Sequence, residues 1–285
     1  MVIIRIWEGL GNQMFQYAFA RALKEKGLDV RLDLDRSYDE AFGKKRKHNA
    51  RFNSVQNFRI TLPRIDVCKY GRYFYLRRGN CVERFFFNFS SYGLGKYKFY
   101  EEVSAEYSDV WSQISGECYI KGWFQSEKYF KDIREILLKE FVPREKIKIS
   151  KQLRYAIDDR ESVALHVRRG DFVKIGQTIG LEYYTEAVAL MKKKYNNPIF
   201  LVFSDDIEWT KRNLGIDGRC VYVDGDFKDY EELFVMSRCR SNIIANSTFS
   251  WWAAWLNSNG DKYVIAPNKW AKGQENIIPN EWCRI

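Results

Sequence analysis

Four stretches of this chain hold side chains that bind or react rather than only pack. The first is His166-Val-Arg-Arg-Gly-Asp171, which follows the apolar run Ser162 to Val167. A run of that length and composition reads as a buried strand. A strand that leads straight into Arg168 and Arg169 puts two permanent positive charges at its carboxyl end, where α/β folds bind ligands. Each guanidinium is a planar fork of donors that matches phosphate oxygens, and a charge-assisted bond of this kind contributes about 1.5–3 kcal/mol. Gly170 allows a tight turn behind the pair. His166 is one of only 2 histidines. It would share a strand face with Arg168, because strand side chains alternate. Taken alone, the pair could be a basic surface loop. The remaining stretches argue against that.

The second stretch, Ser204-Asp-Asp206, ends the apolar run Pro198 to Phe203. Asp205 and Asp206 supply acceptors suited to a ribose or to the N1–H and amino group of guanine; capping a helix is their structural alternative. The third, Asn246-Ser-Thr-Phe-Ser-Trp-Trp252, opens a helix with hydroxyls. Ser247, Thr248 and Ser250 can cap it, and the free N–H groups of its first turn point at an anion. Beside two arginines such a helix start completes a diphosphate pocket. The fourth, Glu8-Gly-Leu-Gly-Asn-Gln13, is a strand-to-helix turn. Gly9 and Gly11 let the backbone approach something closely, and Asn12 and Gln13 are amides placed to contact a ligand or to cap. The full GxGxxG is absent because position 14 is methionine, so a tight turn explains the glycines equally well.

These stretches need a scaffold, and the chain supplies one. Val2 to Trp7 reads as a strand. Met14, Phe15, Ala18, Phe19, Ala22 and Leu23 recur at helical spacing, Gly27 ends the helix, and Leu28 to Leu34 is the next strand. Residues 36–110 read as irregular. Cys118 to Phe124 is a strand, and Ser126 starts a helix that carries Tyr129, Phe130, Ile133, Ile136, Leu137 and Phe141. After Pro143 a charged stretch marks the domain boundary, giving domains 1–145 and 146–285. In the second, strands at 162–167, 198–203, 220–223, 242–245 and 263–266 alternate with helices near 151–160, 181–195, 208–214, 230–238 and before 256. That alternation means α/β: a doubly wound parallel sheet, with the loops after its strands gathered at one edge.

Composition narrows the partners. The chain has 285 residues, 46% apolar and 16% aromatic, with a net charge of +10. Anionic partners are favoured: nucleotide, nucleic acid, acidic lipid or glycan. No run of 18 apolar residues and no signal-peptide layout is present, so a cytoplasmic protein is expected. The six cysteines are scattered without CxxC. They read as reduced thiols, with no structural metal expected. Basic and aromatic residues interleave from Lys69 to Tyr100, among them Tyr70, Arg72, Tyr73, Arg77, Arg78, Phe85 and Phe86. That stretch is open to three readings: a small core with a basic rim, a membrane-surface contact, or base stacking. Lys44-Lys-Arg-Lys47 reads as a solvated loop.

Several of these blocks together resemble the inverting α-1,2-fucosyltransferases of the bacterial and animal type, which use GDP-fucose. The blocks are Gly9 to Tyr17, Gly122-Trp-Phe-Gln-Ser-Glu-Lys-Tyr-Phe130, His166 to Asp171, Phe203 to Asp206, and Asn242 to Trp255. They run in family order over nearly the whole chain. Glu8 stands where the family usually has glycine, and Phe172 where it usually has tyrosine. The resemblance implies a GT-B-like fold of two Rossmann-type domains, with the donor in the C-terminal one and much of the acceptor in the N-terminal one. It implies that Arg168 grips the β-phosphate, supported by Arg169. His166 and one of Asp205 and Asp206 would read guanine, and Thr248, Phe249 and Ser250 would bind the diphosphate. The implied reaction moves L-fucose from GDP-β-L-fucose to the 2-hydroxyl of a terminal β-galactose with inversion. Arg168 and the helix start would stabilise the departing GDP without a metal. Asp171 is the first candidate for the base, or else a salt-bridge partner of the arginines, and Glu8 is a second candidate. The partners implied are GDP-fucose and a galactose-terminated glycan, not nucleic acid, with peripheral contact to the inner membrane through a lipid-linked acceptor.

Two other functions fit parts of the sequence. Asp33-Leu-Asp35 and Asp224-Gly-Asp226 match the short Asp-x-Asp pattern of metal-dependent glycosyltransferases. The basic–aromatic stretch would suit a non-catalytic glycan- or nucleic-acid-binding protein, whose affinity would fall steeply with salt.

Overall fold

The computed structural model describes residues 1–34, 53–65, 98–102, 104, 106–109, 114, 116–270, 274 and 276–285. The Lys44–Lys47 cluster and residues 69–97 of the basic–aromatic stretch lie outside them. The chain divides into two units. One comprises residues 1–56 and 60–140, the other residues 57–59 and 141–285. The division falls five residues before the boundary read from the sequence. Phe141 belongs with the second unit, where its ring lies 5.2 Å from Trp252 and 5.6 Å from Phe58. Phe58 also bridges to Pro143 and packs against Tyr230, which draws residues 57–59 into that unit.

In the first unit, strand β1 (Val2–Arg5) leads through helix α1 (Leu10–Glu25) to β2 (Val30–Asp33). Helix α1 starts at Leu10, earlier than its apolar periodicity alone shows. It buries Met14, Phe15, Ala18, Phe19, Ala22 and Leu23, and ends before Gly27, whose φ of 87° few other residues accept. Strands β3 (Lys98–Glu101) and β4 (Cys118–Lys121) complete a parallel sheet of order β2-β1-β4-β3. Strand β3 corrects the expectation that residues 36–110 are wholly irregular. The expected helix from Ser126 is also corrected. Ser126 caps a single 3-10 turn, a second follows, and the α-helix α2 begins only at Arg134 and ends at Glu140. The Phe19 and Phe124 rings stack at 3.9 Å in the core of this unit.

The second unit begins with α3 (Lys151–Ile157), capped by the Ser150 hydroxyl, and β5 (Ser162–Val167). The order then runs α4 (Gly170–Lys174), α5 (Leu181–Lys194), β6 (Ile199–Ser204), α6 (Ile207–Asn213), β7 (Cys220–Tyr222), α7 (Asp229–Ser237), β8 (Ser241–Ile243), α8 (Thr248–Leu256), β9 (Val264–Ala266) and β10 (Cys283–Arg284). All six strands are parallel, in the order β10-β9-β8-β5-β6-β7. Strand β5 is buried along its whole length, with Ser162 and His166 the two polar residues in its otherwise apolar run. The chain steps outward from β5 through β6 to β7, then returns to the other side of β5 with β8. The carboxyl ends of β5 and β8 are therefore the topological switch point, where open α/β sheets hold ligands. Helix α8 lines this sheet with Trp251, Trp252 and Trp255, all buried, and the Trp251 indole donates to the Ile277 carbonyl at 2.7 Å. The α/β class, with one parallel sheet in each unit, is the one expected. No helix among the described residues is long and apolar enough to cross a membrane, and the four described cysteines are free thiols.

Candidate active site

Strand register brings three of the four stretches together. His166 pairs with Phe203, Val167 with Ser204, and Leu165 with Ile243. The segments starting at Arg168, Asp205 and Ile244 thus leave adjacent parallel strands at one edge. Arg168 lies just beyond β5, with its side chain 16% exposed. Its Nη1 faces Asp205 Oδ2 at 2.8 Å and its Nη2 donates to Asp171 Oδ1 at 2.5 Å. The guanidinium also lies 5.3 Å from the Phe172 ring. Two carboxylates and an aromatic face therefore fix the orientation of this fork before any ligand arrives.

Asp205 serves both arginines. Its Oδ1 accepts from the Arg169 backbone N–H at 2.8 Å while Oδ2 holds the Arg168 side chain. Gly170 makes room for this. A Cβ there would lie 2.6 Å from Asp205 Oδ2, so the glycine is needed for close approach and begins α4. Asp206 caps α6, accepting from the Trp209 N–H at 3.2 Å, and its other oxygen lies 3.4 Å from Arg169 Nε. The Arg169 guanidinium sits 3.3 Å from the Trp209 ring centroid, a cation–π stack. Both aspartates expected to offer acceptors to guanine or ribose are thus engaged in positioning the two arginines.

His166 is 3% exposed and its Nδ1 is buried with no hydrogen-bond partner. Burial first, and the Arg168 charge second, push its pKa down to about 3, so the imidazole is neutral near pH 7. Its ring lies 5.6 Å from Phe249. At the neighbouring strand end Asn246 Oδ1 is likewise buried and unpartnered, although Asn246 Nδ2 donates to the Gln177 carbonyl at 2.9 Å. A buried polar atom without a partner loses its hydration with no return, and these two lie at the ends of adjacent strands.

The expected hydroxyl cap on α8 is not made. Ser247 stands at the cap position without a side-chain bond, and the buried Ser250 hydroxyl turns inward to the carbonyls of Ala245 and Ser247 at 3.4 and 3.3 Å. The first turn, with Thr248 and Phe249 half-buried, keeps its backbone N–H groups free of any side-chain cap. The positive end of the helix dipole stays available to an anion.

Two contributors escaped the sequence reading. Trp209 carries no motif signal beyond its place in the first turn after Asp206. Glu232, in the middle of α7, is shifted up to about pH 7 by burial and by the nearby charges of Asp205 and Asp229, against the pull of Arg168. Only the fold brings it near Arg168.

Gly11, Asn12 and Gln13 belong to the other unit, at the start of α1. Gln13 is fully buried and structural: its Nε2 donates to the Glu8 carbonyl at 2.7 Å and its Oε1 accepts from the Val55 N–H at 3.2 Å. Asn12 Nδ2 donates to the Glu8 carboxylate at 2.6 Å, and its Oδ1 accepts from Gln125 at 2.7 Å. In the two Asp-x-Asp stretches, Asp33 is fully buried, 2.9 Å from Arg5 and bonded to the Tyr119 hydroxyl. Asp224 lies 3.0 Å from Lys211.

Comparison with known proteins finds relatives along the whole chain. An α-1,2-colitosyltransferase of Escherichia coli is 30% identical, over 100% of this chain and 99% of its own. The O-antigen biosynthesis glycosyltransferase WbnK of Escherichia coli is 29% identical, over 97% of this chain and 98% of its own. A galactoside α-(1,2)-fucosyltransferase 1 of Leontopithecus chrysomelas is 27% identical, over 58% of this chain and 48% of its own. Among solved structures, the glycosyl transferase family 9 protein of Veillonella parvula aligns with a TM-score of 0.44 at 10% identity, covering 100% of this chain and 85% of that one. Residues 84–285 match the family model for glycosyl transferase family 11. With that match and a 30% identical relative along the full chain, the protein is a glycosyltransferase and belongs to glycosyl transferase family 11.

Proposed function

We propose that this glycosyltransferase moves L-fucose from GDP-β-L-fucose to the 2-hydroxyl of a terminal β-galactose, with inversion, giving an α-1,2-fucoside. The observation that carries the reading is Arg168 itself. It is held between Asp171 and Asp205 at the switch point of the second sheet, on the strand next to an uncapped helix start. As the glycosidic bond breaks, positive charge develops on the sugar ring and negative charge on the departing diphosphate. A fork already oriented, together with the N–H groups of Thr248 to Ser250, stabilises that negative charge without reorganising. Arg169, stacked on Trp209, adds a second fixed charge. The buried His166 Nδ1, neutral near pH 7, is an acceptor suited to a base N–H. Asp171 acts through Arg168 in this reading, because its carboxylate is already engaged by that side chain.

The same charges make a divalent metal unnecessary, so activity in EDTA is part of the proposal. The acceptor is a galactose-terminated glycan, carried on a lipid at the cytoplasmic face of the inner membrane. The O-antigen function in the name of one relative supports that setting. A second donor has support from the 30% identical relative, whose name specifies colitose, a fucose lacking its 3-hydroxyl. GDP release from GDP-fucose in EDTA, with lactose and other galactosides, tests the reading. Release that requires a galactoside and drops about 100-fold or more in Arg168→Ala is expected. Turnover of a colitosyl donor but not GDP-fucose would replace the donor, and dependence on added metal would overturn the mechanism.

A further inference from the structure

The first unit has its own switch point. Its order β2-β1-β4-β3 places the reversal between β1 and β4, and the residues just beyond those two strands form one cluster. Among the described residues, two non-glycine residues have positive φ: Glu8 at 66°, three residues past β1, and Phe124 at 52°, three residues past β4. Side chains adopt this left-handed backbone at a cost, and such residues persist where the surroundings hold them for a purpose.

The surroundings here are specific. The Glu8 carboxylate accepts from Asn12 Nδ2 at 2.6 Å and from the Trp123 indole N–H at 3.2 Å. The Trp123 and Trp7 rings lie 5.3 Å apart, tilted by 40°. Glu102 Oε2 accepts from the backbone N–H groups of Trp123 and Phe124 at 2.6 and 2.9 Å, which locks the corner. Trp7, Glu8, Asn12 and Trp123 are all half-buried, with part of each surface in solvent. A carboxylate held by Asn12 and Trp123, flanked by two half-buried indoles, of which Trp7 carries the Lys121 ammonium 4.9 Å from its ring centroid, matches the two chemical sides of a sugar ring. The hydroxyls donate to the carboxylate, and the C–H face lies on an indole.

We propose that this edge of the first sheet binds a hexopyranose unit of the acceptor glycan, with Glu8 as the specificity-determining carboxylate and Trp7 and Trp123 as stacking faces. The assignment of the sugar to the acceptor rests on the function proposed above; the sugar site itself does not. The strain at Glu8 is kept because the carboxylate must stand where a glycine would be easier.

Lactose is the probe. Saturation-transfer NMR on the whole protein reads sugar binding with no donor present, GDP affinity is measured separately, and the lactose KM is measured with GDP-fucose. Glu8→Gln should weaken lactose binding and raise its KM about ten-fold, the loss of one charge-assisted bond, and leave GDP affinity unchanged. Trp123→Phe should weaken lactose binding and likewise spare GDP. Glu8→Gly should lose lactose binding with a melting temperature no lower than wild type, because glycine accepts the backbone freely. No lactose signal in the wild type, or unchanged binding in Glu8→Gln and Trp123→Phe, overturns the proposal. A clear fall in the melting temperature of Glu8→Gly would make the carboxylate structural and overturn it as well. Lactose binding that depends on Glu8, with no turnover of GDP-fucose, would leave this site standing and remove the fucosyl reading.

Discussion

Gly170 and Asp205 are in contact across neighbouring strand ends, so close that a methyl group on Gly170 would lie 2.6 Å from the Asp205 carboxylate. That carboxylate is the joint between the two arginines, holding the backbone of Arg169 and the side chain of Arg168. A short aspartate bound at both oxygens cannot step aside without releasing one partner. Gly170→Ala should therefore lower kcat by about ten-fold or more through loss of Arg168 orientation. Its stability cost should stay near 1 kcal/mol. Steady-state kinetics beside a urea melt checks this, and unchanged kcat with Asp205 displaced would refute the positioning role.

Which parts of this arrangement the sequence revealed follows from physical range. The strand-end stretches at 166–171, 204–206 and 246–252 were legible because apolar runs mark strands and parallel sheets gather their loops. The pairing of Asp205 with Arg168 was not, because it depends on β5 and β6 lying side by side in register. Nothing local tells a carboxylate that holds an arginine from one that awaits a ligand. Ser250 misled for a related reason: a hydroxyl in a first turn reads as a cap, yet the packing of α8 turns this one toward the Ala245 and Ser247 carbonyls. Strand β3 was missed because a four-residue edge strand carries too short a pattern to stand out.

His166 gives the second unit a directional response to acid. Its folded pKa is held down to about 3, so below about pH 6.5 the unfolded chain takes up a proton that the folded chain refuses. Stability is lost as pH falls from about 6.5 toward 3. Set against His166→Gln, which does not titrate, the wild type should lose about 2 kcal/mol between pH 6.5 and 4.5. Chemical denaturation of both proteins at the two pH values measures this. Parallel behaviour would mean the imidazole is not buried in its neutral form.

Glu232 acts in the opposite direction. Its folded pKa, raised to about 7, favours the protonated form, so its contribution is fully present below about pH 4.5 and is lost as pH rises through 7. Glu232→Gln should match the wild type near pH 4.5 and exceed it by about 3 kcal/mol at pH 8. A diphosphate brought to Arg168 adds negative charge nearby and partly neutralises the guanidinium that now favours the ionised carboxylate. GDP binding should then take up a proton at Glu232 and weaken from pH 6 to pH 8 more steeply in the wild type than in Glu232→Gln. Comparing the two proteins cancels the titration of GDP itself. Equal pH slopes would place Glu232 outside the electrostatic reach of the site.

The Asp-x-Asp stretch at Asp33 separates a structural carboxylate from a metal ligand. Asp33 is fully buried, 2.9 Å from Arg5 and bonded to the Tyr119 hydroxyl, so it ties together three adjacent strands, β2, β1 and β4. Removing one member of a buried ion pair takes a counter-charge from the other, at a cost of up to about 3–5 kcal/mol. Asp33→Asn should lower the melting temperature sharply, and whatever folded protein remains should show the same response to EDTA and to added Mn²⁺ as the wild type. A metal-ligand role makes the reverse prediction: a well-folded variant whose activity falls and is partly recovered at high metal concentration. Asp33 has no surface from which to reach an ion, and its carboxylate is a counter-charge to Arg5 in the core.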